Sequence, residues 1–218
     1  MATNYSPKIV TQGLVSCFDA SNPKSYPRAG NIWYDLSGTK NHATFAGTPA
    51  YSGSLGGGSI YFTGNSATFN NSLNQSNLSQ EWTISGWINI TDKVSQVLMG
   101  GVNNGCSICY SQGNNSLLYL NGGADDYYTY GGDLGGLGWV YSTFRFKNAD
   151  GSRTIYKNLT DISTGGPNNT STPVGLNSTF TIGSGVEGCI GHVLIYNRYI
   201  TNAELEQNFN TTRSRFGV

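Results

Sequence analysis

The sequence predicts an all-β fold, a two-sheet antiparallel sandwich that ends in one short helix. Short segments with apolar residues at every second position recur along the chain, and turns rich in Gly, Asn and Asp separate them. The large aromatic side chains, 14 Tyr, 9 Phe and 4 Trp, supply a core although only 37% of the residues are hydrophobic. Near its end the chain changes from a period of two to a capped helical turn.

The predicted strands follow one another at short intervals. In the clearest of them, residues 81–91, Trp82, Ile84 and Ile88 face one side of a sheet and Trp87 faces the other. Further strands are predicted at 14–18, 42–45, 59–63, 96–99, 107–111, 117–121, 139–146, 154–158, 179–182 and 189–196. Strands at this spacing, with almost no helix, are typical of a sandwich or jelly roll.

The end of the chain predicts one helix. Thr201 and Glu204 have the spacing of a capping box, and Ile200 and Leu205 flank them as a hydrophobic staple. We therefore predict a short helix over residues 202–209. The 218 residues fit a single domain at 13–218 preceded by an N-terminal extension at 1–12, since no repeat or linker divides the chain.

The charge and the hydropathy of the sequence argue against two classes of partner. Charged residues are 11% of the chain, the formal net charge is zero, and Lys and Arg form no cluster. Nucleic-acid binding needs a basic surface, so we predict no nucleic-acid partner. We also predict no membrane partner, because no apolar run is long enough to cross a bilayer. The N-terminus has no apolar signal-peptide core, so we expect assembly in a cytoplasm.

The order of several sequence blocks resembles the concanavalin A-like (LamG-like) jelly-roll family over about residues 10–210. The blocks are, in order, GLVSCFDA at 13–20, WYDLSG at 33–38 with NH at 41–42, SIYFTG at 59–64, WTISGWI at 82–88, WVY at 139–141, FTIG at 180–183 and residues 188–205. They are particularly similar to those in virion proteins of tailed bacteriophages, especially marine and cyanobacterial ones. The resemblance implies a jelly roll whose first and last strands are neighbours, which would bring Cys17 near Cys189. We interpret both as buried free thiols.

The family's usual Asn-Gly turn is missing after the late strand, where Asn158 is followed by Leu159. The geometry of that hairpin therefore stays open. The fold prediction does not depend on it.

The residues favour a protein that is not an enzyme. Glucanases of this superfamily carry two Glu flanking an Asp on one strand, because retaining hydrolysis needs a pair of carboxylates on one face. The four Glu residues here follow no such pattern: Glu81, Glu187, Glu204 and Glu206. We interpret His42 as a structural hydrogen-bonding residue and His192 as a core or interface histidine.

No cofactor is predicted, with calcium as the alternative. Cys106 and Cys109 form a lone C-x-x-C, and residues three apart in a strand point to opposite faces, which disfavours zinc. Relatives bind Ca²⁺ through loop carboxylates, so Asp19 and Asp35 are the candidate metal ligands. Turn chemistry, in which the side chain accepts from amides two residues on, is the favoured interpretation of both.

A polar loop predicted at 122–138 carries the best match to a glycan site. Tyrosine rings there can stack on sugar faces while carboxylates accept hydroxyl hydrogen bonds. The residues concerned are Asp125, Asp126, Tyr127, Tyr128, Tyr130 and Asp133. Tyrosine is also enriched at protein interfaces, and we predict an interface first and a sugar site second.

These observations predict a non-enzymatic structural protein of a bacteriophage virion, either a capsid decoration protein or a tail, fibre or appendage component. It would be located in the virion and attach to other virion proteins and to its own copies. The alternative is a carbohydrate-binding, lectin-like adhesion module that recognises host surface glycans.

Overall fold

The computed structural model describes residues 8–71, 81–91, 96–101, 107–111, 116–121, 126–129, 136–147, 149, 152–163 and 180–218. Within them lie one α-helix, α1 (Asn202–Phe216), and sixteen strands: β1 (Leu14–Asp19), β2 (Ile32–Trp33), β3 (Ala43–Phe45), β4 (Ala50–Ser52), β5 (Ser59–Thr63), β6 (Ala67–Phe69), β7 (Glu81–Ile90), β8 (Gln96–Gly101), β9 (Ser107–Ser111), β10 (Ser116–Asn121), β11 (Asp126–Thr129), β12 (Val140–Lys147), β13 (Ser152–Lys157), β14 (Thr160–Asp161), β15 (Phe180–Ser184) and β16 (Glu187–Tyr196).

The strands form two antiparallel sheets. Sheet 1 has the order β14-β13-β12-β7-β16-β5-β4, with β1 also paired to β16. Sheet 2 has the order β11-β10-β9-β8-β15-β6-β3-β2. The all-β, two-sheet fold with a C-terminal helix is confirmed, and so is the pairing of the first strand with the last.

One core lies between the two sheets. Trp82, Ile84 and Ile88 of β7 contribute to it together with Phe69 and Phe180 of sheet 2. All five side chains are buried, and the alternation read in residues 81–91 is what directs the β7 residues inward. Burial of this apolar area is the main force that holds the sheets together.

A second core lies on the outer face of sheet 1, under α1. Trp87, which points away from the first core, stacks on Phe216 with ring centroids 4.4 Å apart and planes 13° apart. Phe209 stacks on the same ring at 5.5 Å, and the Trp87 Nε1–H donates to Thr212 Oγ1 at 2.8 Å. The helix is therefore part of the packed structure.

The helix is seven residues longer than the sequence predicted. Its capping box is confirmed, with Thr201 Oγ1 accepting from the Glu204 amide and Glu204 accepting from the Thr201 amide. The residues after Phe209 are mostly polar, which hid the second half, but Phe216 anchors that half against Trp87. No helix in the described part of the chain is long and apolar enough to cross a membrane.

The segment before β1 packs on this helix. The Val10 amide donates to Asn208 Oδ1 at 2.8 Å, and the Tyr196 hydroxyl donates to the Val10 carbonyl at 2.9 Å. Gln207 donates to the Lys8 carbonyl at 2.6 Å. The described part of the predicted N-terminal extension thus lies against α1 and forms one wall of a cleft.

A two-residue turn, Asn158 and Leu159, closes the hairpin that lacks Asn-Gly. Asn158 has φ of 56°, in the left-handed region that asparagine tolerates better than most residues, and Lys157 pairs directly with Thr160. Asn158 Oδ1 also accepts from the Tyr141 amide at 3.0 Å. Asparagine at the first turn position therefore closes the hairpin without a following glycine.

Candidate functional site

The predicted tyrosine site lies partly on a strand. Asp126, Tyr127 and Tyr128 belong to β11, the edge strand of sheet 2, and not to the loop that the sequence predicted at 122–138. Tyrosine and threonine both favour strands, and the run Tyr-Tyr-Thr pairs with β10. The other three predicted residues, Asp125, Tyr130 and Asp133, lie outside the described residues.

Backbone register connects β11 to the middle of sheet 2. Thr181 is paired with Gly100, Gly100 with Ser107, Ser107 with Leu120, and Leu120 with Tyr127. Directly opposite residues of antiparallel strands share one face of the sheet. Position 127 therefore lies in one cross-strand row with Thr181. In β15, Thr181 is on the face of the sheet opposite to the core residues of that strand.

Asp35 is a structural carboxylate. The backbone amides of Cys17, Ser37 and Asn41 donate to it at 2.8, 2.8 and 3.0 Å. The hydroxyls of Ser37 and Thr39 lie at 2.7 and 2.9 Å from its Oδ2. These donors tie the turn after Trp33 to β1, which is the turn chemistry that the sequence favoured.

His42 supports the same turn. Its Nδ1 accepts a hydrogen bond from the Asp35 amide at 3.1 Å, which confirms the structural role predicted for it. The Tyr34 ring packs edge-on against the imidazole with centroids 5.1 Å apart.

Asp19 is paired with an arginine that the sequence did not connect to it. Arg215, near the end of α1, donates to Asp19 Oδ1 at 2.8 Å and to Ser21 Oγ at 2.6 Å. Asp19 Oδ1 also accepts from the amide and the hydroxyl of Ser21 at 3.0 and 2.8 Å. Although its partial burial opposes ionisation, the charge that His192 acquires at low pH, the charge of Arg215 and the Ser21 bonds hold the pKa of Asp19 below its usual value.

Calcium binding by Asp19 or Asp35 stays a prediction. In the part of the chain that the structure describes, no three His, Cys, Asp or Glu side chains group closely enough to hold a metal ion. The donors around both carboxylates are amides, hydroxyls and a guanidinium, whereas a Ca²⁺ site needs further oxygen acceptors at the same point.

A cleft of about 470 Å³ lies beside Asp19. The segment 8–11, β1, β16 and the last two turns of α1 form its walls. Cys17 and His192 line it, and Cys17 Sγ lies 4.0 Å from His192 Nε2. Sequence reasoning missed this cleft, because its parts come from both ends of the chain and no motif links them.

The Cys17–His192 pair does not have the electrostatics of a nucleophilic dyad. Burial raises the pKa of Cys17 to about 12, and the negative charges of Asp19 and Asp35 add to the effect. Burial lowers the pKa of His192 to about 4, outweighing the opposing effect of Asp19. A reactive cysteine needs a lowered pKa beside a charged histidine, whereas both groups here are neutral near pH 7.

Cys17 and Cys189 are free thiols. Cys17 and Cys189 are both buried and unbonded, as the sequence interpretation held, although their strands are hydrogen-bonded neighbours. Cys17 pairs with Leu194 in the register, five residues along β16 from Cys189. They therefore act as small buried side chains.

The chain is similar to several solved β-sandwich structures. Trypanosoma rangeli sialidase in complex with sialic acid matches 93% of this chain and 33% of that chain at 16% identity and a TM-score of 0.68. Domain 4 of AbnA, a GH43 extracellular arabinanase from Geobacillus stearothermophilus, in complex with arabinotriose, matches 91% of this chain and 99% of that chain at 17% identity and 0.68. The binding domain of botulinum neurotoxin DC in complex with SialylT matches 93% of this chain and 52% of that chain at 16% identity and a TM-score of 0.70.

At these identities the likeness is one of fold. The chain spans 33% of the sialidase chain and 52% of the neurotoxin domain, but almost the whole arabinanase domain. No protein-family model and no curated protein sequence matches the chain. The structural neighbours show that it has a β-sandwich fold of the jelly-roll type.

Proposed function

We propose that the chain is a non-enzymatic, lectin-like module that binds carbohydrate. The observation that supports this most is its similarity to the arabinanase domain solved with arabinotriose, because 91% of one chain matches 99% of the other. The match therefore covers a self-contained domain and not a fragment of a larger fold. The T. rangeli sialidase, solved with sialic acid, adds a second neighbour with a sugar ligand.

Three of the described carboxylates are engaged in structural contacts, which is the basis for proposing a module that is not an enzyme. Asp35 is saturated by amides and hydroxyls, and Asp19 is paired with Arg215. Glu204 is held by Arg198 at 2.6 Å and by the Thr201 amide, so it serves the helix. Retaining or inverting hydrolysis needs one carboxylic acid and one carboxylate facing a common substrate, and none of these three is free for that role.

The two sheets offer different outer faces. The outer face of sheet 1 is covered by α1 at Trp87, Tyr141 and Tyr196, all of which are fully buried. Equivalent outward positions of sheet 2 carry Thr44 and Thr68, which are half-buried and paired with each other. Threonine hydroxyls suit contact with a sugar chain, and β11 with the predicted tyrosines borders this face.

The virion role remains a separate proposal. Attachment to capsid or tail proteins, self-association and location in a virion rest on the order of sequence blocks alone. An adhesion appendage can both attach to a particle and bind a host glycan, so the two roles are compatible. The structural neighbours favour the carbohydrate-binding role, since two of those named were solved with sugars.

A glycan array followed by titration calorimetry tests the proposal. We expect the wild-type protein to bind a defined group of oligosaccharides, with arabino-oligosaccharides and sialylated glycans as the first probes. Replacing Tyr127, Tyr128 and Tyr130 together by Ala tests the predicted site, and Tyr61→Ala on β5 of sheet 1 is the control. A wild-type protein that binds no glycan on the array would contradict the proposed function.

A further inference from the structure

The cleft beside Asp19 has the size and construction of a small-molecule site. Its volume of about 470 Å³ lies inside the range of roughly 300–1,000 Å³ that is common for ligand pockets. Residues from both ends of the chain converge on it, from Ile9 to Arg215. The hydrogen bonds between Val10 and Asn208 and between Gln207 and Lys8 hold two of its walls together.

The walls are amphipathic. Ile9 and Leu36 supply apolar surface, and Leu36 remains 38% exposed. Asn22 and Thr211 add an amide and a hydroxyl to the lining. A molecule with both C–H faces and hydroxyl groups matches such walls better than a purely apolar one.

Asp19 and Arg215 are paired with each other, and the third charge that lines the cleft, on Lys8, is carried by an exposed side chain. Arg215 and Asp19 form an ion pair at 2.8 Å, so an anionic ligand would have to compete with Asp19 for the guanidinium. Cys17 and His192 are both neutral near pH 7, because burial opposes the charged form of each. Separating a partly buried ion pair is costly, and the cleft therefore favours an uncharged ligand.

Two polar atoms on residues that line the cleft have hydrogen-bonding capacity that the described residues do not use. His192 is only 3% exposed, yet its Nδ1 has no hydrogen-bond partner among the described residues. The bonds from Ser21 and Arg215 to Asp19 all end on Oδ1, which leaves the lone pairs of Oδ2 for another donor within the described part of the structure. An unpaired buried polar atom is destabilising, and a ligand that pairs with it removes that penalty.

A hydroxyl group fits these unfilled positions in a way that other groups do not. It can donate to Asp19 Oδ2, and because it both donates and accepts it can pair with Nδ1 of His192 in either tautomer once the ring turns, since that nitrogen is closed to solvent in the structure. Two or more hydroxyls on one small ring would serve both atoms while the ring carbons contact Leu36.

We infer that this cleft binds a single unit of an uncharged sugar, as a site distinct from β11. The inference rests on the proposed carbohydrate-binding function for the class of ligand and names where one sugar unit is held. Asp19 and Asn22 would orient its hydroxyls, Leu36 and Ile9 would contact its C–H face, and His192 would lie at the back of the cleft.

Filling the cleft tests the inference. The Leu36→Trp variant puts a larger ring on the lining of the cleft and leaves Asp19 and Arg215 themselves unchanged. Leu159→Trp is the matched control, because Leu159 is 39% exposed, close to the 38% of Leu36, and lies in the β13–β14 turn. The probes are neutral monosaccharides, arabinose, galactose, glucose and mannose, titrated by calorimetry. We expect Leu36→Trp to weaken binding roughly tenfold or more, and Leu159→Trp to leave it unchanged.

Chemical-shift mapping gives a second measurement that needs no variant. On addition of the bound monosaccharide we expect the largest shifts at the amides of Asp19 and Arg215 and at the ring protons of His192. Sugar binding with wild-type affinity in folded Leu36→Trp, or shifts confined to β10 and β11, would overturn the inference while leaving the proposed function intact. A wild-type protein that binds no monosaccharide or oligosaccharide would overturn both.

Discussion

The carboxylate of Asp35 accepts hydrogen bonds from three backbone amides and two hydroxyls while only 4% of the residue is exposed. One side chain thus accepts from three buried amides that would otherwise have no hydrogen-bond partner. The sequence indicated turn chemistry at Asp35 from the Asp-Leu-Ser-Gly run. It could not indicate the bond to the Cys17 amide, which comes from a different strand.

We expect Asp35→Ala to lower the free energy of unfolding by about 3 kcal/mol, because several buried donors lose their acceptor at once. The measurement is urea unfolding followed by circular dichroism. Asp161→Ala is the control: Asp161 is exposed and accepts from the Ser163 amide at 2.9 Å, so about 1 kcal/mol or less should be lost. Equal losses in the two variants would show that the Asp35 bonds are not what stabilises the turn.

His192 gives the protein a pH dependence of known sign. Burial lowers its pKa to about 4, below the value of about 6.5 expected in the unfolded chain. Between these values the unfolded state binds more protons, so stability falls as the pH falls from 6.5 towards 4, by up to about 1.4 kcal/mol per unit. The carboxylates with lowered pKa, Asp19 and Glu204, lose their contribution at lower pH, below their ordinary values.

The His192→Gln variant should therefore show a shallower decrease of unfolding free energy between pH 6.5 and 4 than the wild type. Between pH 7 and 8 the two curves should run parallel, because the imidazole is neutral in both states there. Chemical denaturation at each pH provides the curves. An unchanged slope between pH 6.5 and 4 would rule out His192 as the group responsible.

The helix α1 is stabilised at its start by local contacts and along its length by the sheet beneath it. Arg198 makes a two-point ion pair with Glu204, at 2.8 and 2.6 Å, beside the capping box of Thr201. Beyond Phe209 the contacts come from residues distant in the sequence, among them Trp87, which lies more than a hundred residues earlier in the chain. The first half of the helix was predictable for that reason and the second half was not.

We expect Thr201→Ala to lower the free energy of unfolding by about 1 kcal/mol through loss of the cap. Thr211→Ala in the middle of the same helix is the matched control. The Thr211 hydroxyl only donates back to the Gln207 carbonyl, and alanine has the higher helix propensity, so its stability should be unchanged or slightly greater. Similar losses in both variants would show that the cap contributes nothing specific.

The whole molecule has two cores that share strands of sheet 1. The turn Leu55–Gly57 approaches the helix closely: Gly56 has φ of 59°, and a Cβ there would lie 2.7 Å from the Phe216 ring. Phe216 also packs against Trp87 and Trp139. The helix, the turn and the sandwich are therefore expected to unfold together.

Helical ellipticity at 222 nm and tryptophan fluorescence should report one coincident unfolding transition. Phe216→Ala should lower the free energy of unfolding by about 3–4 kcal/mol, because it leaves a cavity beside Trp87. Val218→Ala, two residues on and 39% exposed, is the control and should cost about 0.5 kcal/mol or less. Two separate transitions in the wild type would contradict a shared core.

The long strands and the helix start could be predicted because their signals are local. Alternation in β7 and the Thr201–Glu204 spacing each lie within a few residues, and both appear in the structure as expected. The short strands β2, β4, β6, β11 and β14 were missed, since two to four residues are too few to show a period. At β11 this placed the predicted tyrosines in a loop when three of the predicted residues lie on an edge strand.

The sequence by itself determined the class of fold, the direction in which β7 presents its side chains, and the start of α1. Only the tertiary structure decided where polar groups meet, because Asp19 and Arg215 are 196 residues apart and are joined by the packing of α1 on sheet 1. The cleft exists for the same reason. Its chemistry depends on side chains that come together only after both ends of the chain have packed against the same strands.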